Sequence, residues 1–141
     1  MNNPKTLKVT LMLSGLIGVY VGIEILFFPI AFYATSGIDV AGDVSLLNEV
    51  RASGGALLLS GIIIILGAFL PRLAFTSILI STVLYLSYGF SRVVSMVIDG
   101  RPADILVYVS ALEIAIGLVC ALMLAKFLKY EQKRRLSREA E

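Results

Sequence analysis

The sequence predicts an all-α fold: an integral membrane four-helix bundle, antiparallel, with both termini cytoplasmic. Three observations predict it. The 141-residue chain is 58% hydrophobic and only 16% charged, where soluble domains carry roughly 45–50% apolar and about 25% charged residues. Its mean hydropathy is +0.93. Four stretches are each long enough to cross a hydrocarbon core, which takes about 20 mainly apolar residues over roughly 30 Å. The runs are continuous rather than alternating, which selects helices over a closed β-barrel, the other backbone solution in lipid.

The first helix is expected over 7–30, with Pro29 punctuating its end. Its apolar core exceeds the roughly 7–15 residues of a signal peptide, and Ala31 and Ala34 make a poor cleavage site, so it reads as a retained anchor. The second helix is expected over 50–70, after the longest connection, Ala31 to Asn48, with Ser45 as its N-cap. Only Pro71 and Arg72 separate it from the third helix, 73–98, so these two must form a hairpin. Gly100-Arg101-Pro102 then breaks the chain before the fourth helix, 105–128. Residues 1–128 thus form one transmembrane domain, and 129–141 form a basic cytoplasmic tail. That tail is a topology signal, or a contact for anionic headgroups at about 1 kcal/mol per basic residue.

Orientation follows from Lys and Arg placement. With the N-terminus inside, Lys5, Lys8, Arg72, Lys126, Lys129, Lys133, Arg134, Arg135 and Arg138 are internal, and Arg51, Arg92 and Arg101 are external. Nine against three sets the topology for an even number of spans. The lipid bilayer is the expected partner. The net charge of +2 is too small to argue for nucleic acid.

Charged side chains within spans are costly, near +2.5 to +3.5 kcal/mol at a helix centre on insertion scales, and therefore mark candidate sites. Glu113 lies roughly 12 Å past Ile105 and Glu24 roughly 9 Å before Ile30, at 1.5 Å per residue. Arg51, Arg92 and Glu49 lie closer to the outer boundary. All fall in the outer half of the expected bundle, where they could form one compensating network. The formal sum of that network is minus one, which calls for one bound proton. Ser77, Ser81, Tyr85, Tyr88 and Arg92 recur at steps of three and four, placing hydroxyls in line with a guanidinium. Ser110, Glu113, Gly117 and Cys120 share a face of the fourth helix, and Arg51, Gly54 and Gly55 lead the second. Gly15, Gly18 and Gly22 form a close-packing seam on the first helix, within the chain or towards a second copy.

Three readings of the charged set remain open at this level: a structural polar core, a ligand, ion or proton site, and snorkelling side chains. The sequence has no His and a single Cys, Cys120. No nucleophile–base pair, zinc set or nucleotide loop is present, so neither an enzyme nor a cofactor is expected. A carboxylate-only metal site from Glu24, Glu49 and Glu113 is a remote alternative.

The stretch Asn48-Glu49-Val50-Arg51-Ala52-Ser53-Gly54-Gly55 resembles the N-E-x-R-A-x-G-G signature of the domain-of-unknown-function family numbered 4345. Phe27-Phe28-Pro29, Gly89-Phe90-Ser91-Arg92, Asp99-Gly100, Glu113 and Gly117 are similar too, although Ser91 stands where that pattern has Gly. The resemblance runs from Leu11 to Leu124. It implies four helices and a bacterial inner membrane, and it implies no activity. It also implies that Glu49, Arg51, Arg92, Asp99 and Glu113 belong together. Two functions follow as expectations. One is a non-enzymatic oligomeric or accessory protein whose partner is a second copy or a larger membrane complex. The other is a small transporter or ligand- or proton-binding bundle using Glu24, Arg51, Tyr85, Tyr88, Arg92 and Glu113 as an outward-facing pocket.

Overall fold

The computed structural model describes residues 5–139, excepting the side chains of residues 134, 135, 138 and 139. The ends 1–4 and 140–141, and the charged groups of Arg134, Arg135 and Arg138 in the expected basic tail, lie outside the described residues. Five α-helices form: α1 (Lys5–Phe27), α2 (Pro29–Ala34), α3 (Val44–Phe69), α4 (Ala74–Asp99) and α5 (Asp104–Glu139). A 3₁₀ turn spans Pro71–Leu73, and the described residues contain no strand. Four helices are long and apolar enough to cross a membrane, which makes the chain an all-α, multi-pass membrane protein.

The helix boundaries correct the sequence expectation in three places. The first helix stops at Phe27 rather than Ile30. Pro29 has no N–H to continue the ladder, and it restarts the chain as α2 from the first helical position, where a missing N–H costs nothing. The second span begins at Val44 instead of Val50. Its N-cap is Asp43, whose Oδ1 accepts the Leu46 N–H at 2.9 Å, and Ser45 lies inside the first turn. Asp and Ser are comparable caps, so the position with the extended backbone wins. The last helix continues past 128 to Glu139, because no Pro or Gly follows Gly117 to end it.

Packing between the long helices rests on glycine. Lipid tails are as apolar as Leu, so helix association in a membrane depends on van der Waals contact and close backbone approach. Gly15, Gly18 and Gly22 of α1 press on Gly61, Leu57, Leu58 and Ile65 of α3. The numbers fall along one helix as they rise along the other, so the two run in opposite directions. Gly89 and Gly117 do the same between α4 and α5, against Ile114 and Leu86. The seam on α1 is therefore covered by α3. Gly54 meets Ile25 and Leu26, whereas its expected companion Gly55 has open space beyond it. One residue further on turns the side chain by about 100° around the axis.

Two apolar clusters follow. Leu7, Leu11, Ile64, Ala68, Ile78 and Cys120 draw all four long helices together at the end carrying Pro71. Ile25, Val50 and Leu57 join α1 to α3 at the end carrying α2. There the α1–α3 pair and the α4–α5 pair border a cavity lined by residues of all four long helices.

Gly61→Val should destabilise the fold by about 1–3 kcal/mol, the usual cost of overpacking. A Cβ there would lie 2.6 Å from Val19 N and 2.9 Å from the Gly15 carbonyl. Gly55→Ala should cost nothing and gain up to about 1 kcal/mol, because it lies inside α3 with nothing within 4 Å of its Cβ. Equilibrium unfolding by sodium dodecyl sulfate in mixed micelles measures both, and equal losses would contradict this packing.

Candidate functional site: a cavity with an ion pair

The stripe on α4 reads outward from the packed end. Ser77 Oγ donates to the Ile63 carbonyl of α3 at 2.7 Å. Ser81 Oγ donates to Ser14 Oγ of α1 at 3.0 Å and lies 3.1 Å from Cys120 Sγ of α5. The Tyr85 hydroxyl donates to the Ser14 carbonyl. All of these side chains are buried. They tie α1, α4 and α5 together at mid-bundle and form a floor.

Beyond this floor the helix pairs part around a cavity of about 380 Å³, within the range of roughly 300–1,000 Å³ typical of small-molecule sites. Ile17, Val21 and Ile25 of α1, Val109, Leu112 and Ile116 of α5, Leu57 of α3 and Leu84 of α4 line it. At its α2 end the wall turns polar: Tyr88, Arg92, Glu113 and Tyr33 line it, with Thr35 and Ser36. Arg92 Nε donates to Glu113 Oε2 at 2.9 Å. The Glu113 side chain is 15% exposed and that of Arg92 33%, so the carboxylate is the deeper partner. Helix α2 supplies Phe32 and Tyr33 in an edge-on ring contact, 5.6 Å between centroids. Burial pushes the Tyr33 phenol above its ordinary range, with Arg92 opposing, so it stays a hydroxyl donor at neutral pH.

The structure brings Tyr85, Tyr88, Arg92 and Glu113 together and leaves the other expected site residues apart. Arg51 is exposed and its Nη1 donates to the Leu26 carbonyl. That carbonyl loses its usual helical partner because α1 breaks at Phe28, and a cation is well placed at a helix C-terminus. Arg51 and Gly54 thus dock α3 on the end of α1. Glu24 is half-buried, stands off the cavity wall and forms no ion pair among the described residues. It lies three residues before the end of α1, so it is only about 4.5 Å deep at 1.5 Å per residue. Glu49 is exposed, and Asp99 is exposed and accepts from Ser95 Oγ at 2.9 Å. The five charged residues grouped by the family resemblance therefore reduce to one pair at the cavity. With Glu24, Glu49 and Arg51 all elsewhere, the expected charge of minus one does not arise, and the pair is formally neutral. Among the described residues, no three His, Cys, Asp or Glu side chains come together to hold a metal.

Sequence reasoning missed the contribution of α2 and its following turn. The stretch after Ala31 reads as an external loop, yet Phe32, Tyr33, Thr35, Ser36 and Ile38 close one end of the cavity. Gly37, at φ 72°, lets the Ile38 N–H return to the Tyr33 carbonyl at 3.1 Å. Pro29 followed by the aromatic pair was the available signal. Ser14 was missed also, as an isolated hydroxyl beside the glycine seam.

The profile of a family described as Domain of unknown function (DUF4345) matches residues 6–124. Neither a curated protein nor a solved structure matches the chain.

Glu113→Leu should destabilise the chain by about 1–3 kcal/mol by leaving a half-buried guanidinium unpaired. Adding Arg92→Met should recover most of that loss, because replacing both partners removes the desolvation cost along with the attraction. A double-mutant cycle on the same unfolding equilibrium measures the coupling. Simple additivity of the two substitutions would contradict the pairing.

Proposed function

This chain belongs to the DUF4345 family of unknown function, and we propose that it is a non-enzymatic membrane protein that binds a small molecule within its bundle. The observation carrying this reading is the cavity with the Arg92–Glu113 pair on its wall. A purely structural polar core would be packed shut around such a pair, because an empty lining forfeits contacts that a well-packed interior makes. Here a site of about 380 Å³ stands beside the pair, apolar over most of its surface and polar at one end. That is the composition of a ligand site, where a few placed polar groups orient a mostly apolar guest.

Binding suits this site better than conduction. Pathways need polar residues to continue through the membrane. Beneath the Tyr85–Ser14–Ser81–Cys120 floor lies the apolar cluster of Leu7, Leu11, Ile64 and Ile78. In our reading the cavity is a pocket in the outer half of a bacterial inner membrane, with both termini cytoplasmic. Nine Lys and Arg on the terminal side against three on the other support that orientation. Catalysis finds no support in the residues at the cavity, which include no nucleophile beside a base.

Native mass spectrometry of the full chain released from lipid nanodiscs tests the reading. A one-to-one adduct with a small amphiphile should survive release, and Ile116→Trp, which fills the cavity from α5, should abolish it. Only bare chain in both cases, or an adduct indifferent to the substitution, would overturn it.

A further inference from the structure

We infer that the cavity selects an uncharged amphiphile: an apolar chain ending in a carbonyl or hydroxyl head, admitted from the lipid between α1 and α5. This rests on the pocket reading above and adds the chemistry of the guest. Charge comes first. Arg92 and Glu113 neutralise each other across a 2.9 Å hydrogen bond. A head with a full charge would find no net opposite charge to meet it, and an uncompensated ion in a site with little water is strongly disfavoured. The guanidinium fork would suit a carboxylate, but Glu113 already occupies its Nε, and a second anion would crowd two negative charges onto one cation. A cationic head fares no better, with Arg92 beside the only carboxylate on the wall.

Hydrogen bonding then specifies the head. Arg92 uses only its Nε–H, and both Nη groups lack a hydrogen-bond partner among the described residues. The hydroxyls of Tyr33 and Tyr88 on the same wall likewise have none. A guanidinium only donates, and a phenol donates readily. Glu113 Oε1 is the spare acceptor beside them. A set of several donors and one acceptor complements a carbonyl oxygen or a hydroxyl.

The apolar part of the wall supplies the route. Helices α1 and α5 make few direct contacts. Ile17 and Val21 on one face Val109 and Ile116 on the other. Leu112 lines the cavity and is still 53% exposed, so the same side chain borders both the interior and the surrounding lipid. A chain anchored by its head at Arg92 can therefore leave between these helices.

The test uses the full chain in neutral-lipid nanodiscs and four tail-matched probes: dodecanol, methyl decyl ketone, dodecanoate and dodecyltrimethylammonium. Calorimetric titration should give the alcohol and ketone at least about tenfold tighter binding than either ion. Glu113→Gln, which leaves Arg92 unbalanced, should shift the preference to dodecanoate. Arg92→Gln should shift it to the ammonium probe and serves as the second arm if the first variant does not fold. An ion bound as tightly as the ketone by the native chain would overturn the inference while leaving the pocket in place. So would a neutral preference that survives both substitutions. Failure of all four probes to bind the native chain would overturn the pocket reading itself.

Discussion

Everything in this bundle is arranged around one constraint: a guanidinium and a carboxylate placed within the spans must find each other. Charge inside a spanning helix is costly, and water is scarce, so pairing is the available compensation. Arg92 and Glu113 meet because Gly89 and Gly117 let α4 and α5 approach closely in opposite directions. Gly89 lies three residues before Arg92, and a Cβ there would press on Ile114, next to Glu113. The glycine contact fixes the height at which the two charged groups face one another.

The same close approach creates the empty space. Glycine draws α1 onto α3 and α4 onto α5, and α1 meets α4 and α5 far less. At the end carrying Pro71, the short turn and the cluster around Leu11, Ile64 and Ile78 hold the pairs together. Midway, hydroxyls and one thiol join α1, α4 and α5, with Tyr85 as the last member. Past that point, among the described residues, no glycine of α1 meets α5, and residues of both helices line the cavity instead. Helix α2 then folds across the opening, its start set by Pro29 and its aromatic residues turned inward.

Much of this was legible in the residues, and the failures have identifiable physical causes. Continuous apolar runs and the Pro71 break specify four spanning helices, and three- and four-residue steps put Tyr85, Tyr88 and Arg92 on one face of α4. Residue counting along the spans also put Glu113 in the same outer half as Arg92. Height and phase along a helix, however, do not say how that helix is rotated relative to its neighbours. Glu24 and Arg51 do not point at the pair, because the seam of Gly15, Gly18 and Gly22 turns α1 towards α3. Arg51 instead answers an orphaned carbonyl at Leu26. That carbonyl is orphaned only because Pro29 breaks α1 earlier than its apolar run suggests. Ser45 lost the cap to Asp43 for a similar reason, since both residues suit the position and only backbone geometry separates them.

The central claim is that open space adjoins the Arg92–Glu113 pair. Apolar cavities of about 150 Å³ already accept xenon, so methyl NMR of the full chain in nanodiscs under xenon pressure addresses it directly. Saturable shifts are expected at the methyls of Val21, Leu84, Val109 and Ile116, while those of Leu11, Ile64 and Ile78 in the packed end stay still. Unmoved methyls at both ends, or equal shifts at both, would contradict it.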